Sequence, residues 1–173
     1  MWGTLNPGMT AEGNGKAGDQ SNSGRVIGNT GLYEDETLAY NVMWEQTVSL
    51  EVETSAWLTK SGVVMMPVEY PGGQKNTIDG SDNKFYRITV SGKKQYVHYN
   101  GKRIELIGQI HTHPRDGKFG DIDQKVMKTL LGKPVYAFGK NNLYKGFHIT
   151  KDKYNINPFG NAQRLRNGKI KLL

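Results

Sequence analysis

The chain has 173 residues, a formal net charge of +7, 36% hydrophobic residues and no cysteine. That size and composition fit one modest soluble domain, and no apolar run approaches the 18 or more residues that a bilayer-spanning helix requires. Disulfides and closed thiolate metal sites are excluded, whereas the absence of cysteine does not identify a compartment.

The opening Met1-Trp2-Gly3-Thr4-Leu5-Asn6-Pro7 has neither a basic start nor an apolar core, so no secretory signal is expected. Export of a larger parent protein would be encoded upstream, so localisation stays open. Residues 1–31 are rich in Gly, Asn and Ser, including Gly13-Asn14-Gly15 and Asn22-Ser23-Gly24. They have too few apolar side chains to cover a core and read as a flexible linker ahead of a single domain over 32–173.

The domain opens with an acidic helix start at Glu34-Asp35-Glu36, and Leu38, Ala39, Val42 and Met43 make the core face of that helix. Strands follow near 52–59 and 62–68 as a hairpin around Lys60-Ser61-Gly62, then a Gly-, Asn- and Asp-rich loop from Pro71 to Asn83. Further strands are expected near 84–90, 95–98 and 103–112, with turns at Ser91-Gly92 and Asn100-Gly101. A helix over Asp121–Leu131 is closed by Gly132 and Pro134, and a last hairpin pairs Pro134–Phe138 with Leu143–His148 across Gly139-Lys140-Asn141-Asn142. The sum is an α/β (α+β) chain, a mixed β-sheet flanked by helices. The tail carries Arg164, Arg166, Lys169 and Lys171 with no acid over 161–173. It reads first as a solvated basic end, and since no nucleic-acid module accompanies it, nucleic acid is not the expected partner.

Metal ligands gather in one place, Ile110-His111-Thr112-His113-Pro114 followed by Gly120-Asp121-Ile122-Asp123. A strand sends alternate side chains to one face, so His111 and His113 point the same way and can converge on one ion. In the next helix Ile122, Val126, Met127, Leu130 and Leu131 form an apolar stripe, and at about 100° per residue Asp123 falls within it. A carboxylate buried there needs a partner, which makes it the third ligand, while Asp121 on the solvent side serves as the N-cap. The plainer alternative is a pair of strand-end histidines in a turn, with the helix starting a residue or two away. Two histidines and one carboxylate leave a coordination position open, the pattern of a catalytic zinc site. His98 and His148 fit no ligand spacing. Hydrolysis at such a site also needs a proton acceptor, and Glu51 and Glu53, in the run before Ala56-Trp57-Leu58, are both open to that role or to being solvated strand-end acids.

These residues resemble the JAMM or MPN+ zinc metallopeptidases, whose signature is a Glu, then His-Ser/Thr-His-Pro, then Ser-x-x-Asp opening a helix. The counterparts are Glu53, His111-Thr112-His113-Pro114 and Gly120-Asp121-Ile122-Asp123. Over about residues 33–150 the chain looks more narrowly like the JAB-like domains at the C-termini of bacterial polymorphic toxins. The resemblance implies a JAMM/cytidine-deaminase-like fold, with Zn2+ on His111, His113 and Asp123 and Glu53 as the catalytic base. It also implies a protein or peptide substrate, with ubiquitin-like conjugates as one class, and an immunity protein as partner. Two departures stand out. The loop after His113 is one residue shorter than usual, and the helical-face argument selects Asp123 over Gln124. Gly120 stands where the family has a Ser whose hydroxyl helps to stabilise the oxyanion.

Three functions fit the sequence: a zinc-dependent peptidase or isopeptidase of toxin or effector type, a metal-dependent nuclease using the basic tail, and a non-catalytic zinc-binding interaction domain.

Overall fold

The computed structural model describes residues 25–27, 31–66, 68–70, 87–116 and 119–173. The linker expected over 1–31 lies outside the described residues except for 25–27 and 31, and the loop expected over 71–83 lies wholly outside them. Strand β1 (Arg25–Ile27) pairs with β5 (Val68–Tyr70) in a small antiparallel sheet.

The main sheet is mixed and mostly antiparallel. In order it runs β11 (Lys153–Asn161), β10 (Asn142–Thr150), β9 (Val135–Phe138), β8 (Lys102–Thr112), β3 (Ser55–Thr59), β4 (Gly62–Met65) and β2 (Gly31–Tyr33). Strand β8 is eleven residues long and serves two neighbourhoods. Its first part pairs with β7 (Lys94–Tyr99), which carries β6 (Ile88–Ser91) as a hairpin; its second part lies between β3 and β9. Among the described residues only β8 and β9 pair in parallel, and the crossover between them includes α2 (Asp121–Thr129). A parallel pair needs such a connection, which delivers the start of α2 to the carboxyl end of β8.

Alternation along the strands divides the core into two layers. Ala56, Leu58, Val63, Met65 and Ile110 pack with α1 (Glu36–Leu50) and with Ala162 and Leu165 of α3 (Ala162–Arg166). Trp57, Val64 and Leu106 pack on the opposite face with Val126 and Met127 of α2 and with Leu130 just past its end. Burial on both faces explains why β3 and β4 read as continuous apolar runs rather than as alternating patterns.

Several sequence expectations shift. Helix α1 is capped by Asp35, whose side chain accepts from Thr37 and Leu38 N–H, and it runs on to Leu50, so β3 starts at Ser55 rather than near 52. Leu131 is not on the α2 stripe: the helix ends at Thr129, and Leu131 sits beyond it at φ 53° and is exposed. The N-cap of α2 is Gly120, not Asp121, which is the first helical residue and is exposed. The basic tail is also part of the fold. Arg166 donates to the carbonyls of Gly139 and Lys140 and lies 4.9 Å from the Trp44 ring, and Lys171 Nζ donates to Thr37 Oγ1.

Candidate metal centre

The end of β8 is held by its neighbours on both sides. Ser55 is the register partner of His111, and Thr54 O accepts from Thr112 N–H at 2.9 Å. On the other side Ala137 is the partner of His111, and His113 N–H donates to Phe138 O at 2.9 Å, one residue past the strand's last assigned position. Pro114 follows and cannot extend the ladder.

Alternation then decides which chemistry goes where. Thr112 points to the α1 side, where its Oγ1 accepts from Thr54 N–H at 2.8 Å and meets the hydroxyls of Thr47 and Thr54. This buried hydroxyl cluster ties α1, the approach to β3 and β8 together between the two histidines. His111 and His113 consequently lie on the α2 side, with ring centroids 5.0 Å apart. Glu53 precedes Thr54 and shares that side, its carboxylate 4.0 Å from His113 Nε2. Glu51 is the left-handed residue that ends α1, at φ 56°, and lies outside the strand.

Helix α2 brings in Asp123. Its Oδ1 lies 3.0 Å from His111 Nε2, its Oδ2 lies 3.9 Å from His113 Nε2, and the two Nε2 atoms are 3.1 Å apart. One ligand atom from each of the three residues falls within a 4.8 Å group. Nitrogens and oxygens held about 2.0–2.1 Å from one tetrahedral ion lie about 3.3 Å from each other, so this donor set suits zinc in type and needs only small side-chain adjustment to close on one ion. Asp123 Oδ2 also accepts from Gly120 N–H at 2.8 Å, so the side chain is fixed against the helix start. Burial alone would raise the Asp123 carboxyl. The hydrogen bond and charge of His111, the Gly120 N–H and the charge of His113 outweigh burial and hold it below the usual carboxylate range.

His111 is almost completely buried, at 1% exposure, and its Nδ1 lies 3.1 Å from Gln109 Oε1. Sequence reading missed Gln109, although a signal was present: it is a polar residue two positions before His111, and therefore on the same face, in an otherwise apolar stretch. It also missed the Thr47, Thr54 and Thr112 cluster, which joins three segments that no local pattern connects. His98 and His148 stand apart from the centre, His98 on Thr89 Oγ1 at 2.8 Å and His148 on Lys151 O at 2.6 Å. Among the described residues no helix is long and apolar enough to cross a membrane.

Comparison with known proteins finds no family model, no curated protein and no solved structure that matches this chain.

Proposed function

We propose that this chain is a zinc-dependent hydrolase of peptide or isopeptide bonds with a JAMM/MPN+ (JAB-like) site, a toxin- or effector-type domain on a JAMM/cytidine-deaminase-like fold. The observation that carries the reading is the convergence of His111, His113 and Asp123 at the carboxyl end of β8 with the Glu53 carboxylate on the same side. Two imidazoles and one carboxylate would hold the ion and leave a position open. When bound, zinc supplies Lewis acidity, which acidifies water and polarises a carbonyl. Glu53 accepts the proton of the attacking water and hands it to the leaving amine, a role within its reach from beside His113. Asp123, pinned by Gly120 N–H, and His111, pinned by Gln109, keep the ligand atoms in place as the substrate changes shape.

The basic tail lends the nuclease reading little support, because Arg166 and Lys171 are engaged within the fold. Gly120 in the place of the family's Ser favours the non-catalytic reading, so the test must separate binding from turnover. Elemental analysis should find about one zinc per chain, lost in His113→Ala and Asp123→Ala. Glu53→Gln should keep its zinc while turnover of peptide and isopeptide substrates falls by about 10²–10⁴-fold. Unchanged turnover in Glu53→Gln removes its role as base, and a wild type that takes up no zinc after reconstitution ends the metallopeptidase reading.

A further inference from the structure

We propose that Gln109 is the positioning residue that sets the tautomer of His111, holding its proton on Nδ1 and so reserving the Nε2 lone pair for the position between His113 and Asp123. The consequence for zinc rests on the function proposed above; the tautomer assignment does not.

The side chain is fully buried, and its Oε1 lies 3.1 Å from His111 Nδ1. A neutral imidazole carries one proton, and an acceptor at Nδ1 keeps that proton there. A second proton, on Nε2, is then the one shared with Asp123 Oδ1 at 3.0 Å, and its loss to a bound ion leaves Nε2 with its lone pair toward the other two ligand groups. The backbone fixes Gln109 as firmly as the side chain. Its N–H donates to Pro134 O at 3.0 Å, and this close approach requires a glycine next door, since a Cβ on Gly108 would lie 2.8 Å from that same carbonyl. Its register partner is Trp57, on the α2 face of the sheet.

The amide Nε2 of Gln109 has no hydrogen-bond partner among the described residues. Burying an unpaired amide N–H costs about 1–3 kcal/mol, and an apolar side chain at this position would avoid that cost. A residue chosen for packing alone would therefore not be glutamine. What glutamine contributes is the oxygen on His111.

Long-range proton–nitrogen correlation spectra of histidine-labelled wild type, with and without zinc, should show His111 protonated at Nδ1. Chelator competition should then show zinc affinity falling by about 10–100-fold in Gln109→Met, which keeps the bulk but loses the acceptor. Gln109→Glu, which can only accept, should retain wild-type affinity and the Nδ1–H tautomer. A merely structural role would not discriminate Glu from Met in this way. An unprotonated Nδ1 in wild type, or equal zinc affinity in a folded Gln109→Met, overturns the proposal. A wild type that binds no zinc but shows the Nδ1–H tautomer would fail the metal reading and leave the assignment of Gln109 standing.

Discussion

At residue scale, Gly120 is the position where a single atom group matters. Its backbone, at φ −97° and ψ −173°, is open to any residue, and a Cβ there would meet nothing nearer than Asp123 Oδ2 at 4.0 Å. Gly120→Ser should therefore fold normally, gaining a few tenths of a kcal/mol as a better N-cap. If the hydroxyl supplies an oxyanion donor, turnover of the zinc-loaded protein should rise by about 10²–10³-fold with unchanged zinc content. Unaltered turnover in the folded variant would show that the missing hydroxyl does not limit this site. The same scale shows what the sequence could and could not disclose. The common direction of His111 and His113 and the inward aim of Asp123 follow from periods of two and 3.6. The Gln109 contact needs a rotamer, and choosing Glu53 over Glu51 from geometry needs the true end of α1, which no periodicity supplies.

At the scale of elements, the loop between His113 and α2 is tethered by Asp116. Its Oδ1 accepts from the N–H groups of Asn141 and Asn142 at 3.0 and 3.1 Å, and its Oδ2 accepts from Asn141 Nδ2 at 2.9 Å, binding the loop to the β9–β10 turn. Partial burial would raise this carboxyl, but those donors and the Arg166 charge hold it below the usual range. The folded value thus lies below the unfolded one, about 3.9, and the tether is at full strength above that pH and fades as pH falls through the folded value. Asp116→Asn should cost about 1 kcal/mol at neutral pH, allowing for solvent screening of an exposed group, and the cost should shrink in acid. Urea unfolding of both proteins at pH 7 and pH 3 measures this; equal stability at pH 7 would show that the tether contributes nothing. Turns were the most readable elements. Asn100-Gly101 takes φ 48° and 74°, the two positive values that make Asn-Gly a hairpin signal. The end of α1 was hidden because the polar–apolar alternation of Val48-Ser49-Leu50 suits a strand equally well, and Val48 is in fact exposed helix.

At the scale of the whole molecule, the C-terminal segment completes the core. Ala162 and Leu165 are fully buried against α1 and the sheet, Ile170 and Leu172 pack against the same cluster, and Leu172 and Leu173 N–H donate to the Glu36 carboxylate. Leu165→Ala should cost about 2.7–5 kcal/mol in denaturant unfolding, whereas a residue in a solvated tail would cost within about 0.5 kcal/mol. The sequence concealed this because the charges of Arg164, Arg166, Lys169 and Lys171 dominate the composition. The strand that leads into the segment, β11, contains Pro158 and Gly160, which interrupt a strand pattern and are tolerated at a sheet edge.

The pairing of Ser55 with His111, together with the crossover that returns as β9, has one more consequence. Glu53 joins His111, His113 and Asp123 only once strands distant in the chain have met, and although those three lie within one short segment, it is the ordered end of β8 and the start of α2 that hold them at ligand spacing. An ion bound there would favour the folded state, and at a hundredfold excess over its dissociation constant it would deepen the folding free energy by up to about 2.7 kcal/mol, less whatever the unfolded His-x-His segment binds. Metal supply would then govern abundance as well as chemistry: in a zinc-poor setting the chain would spend more time open to proteases, and the domain would be removed as well as idle.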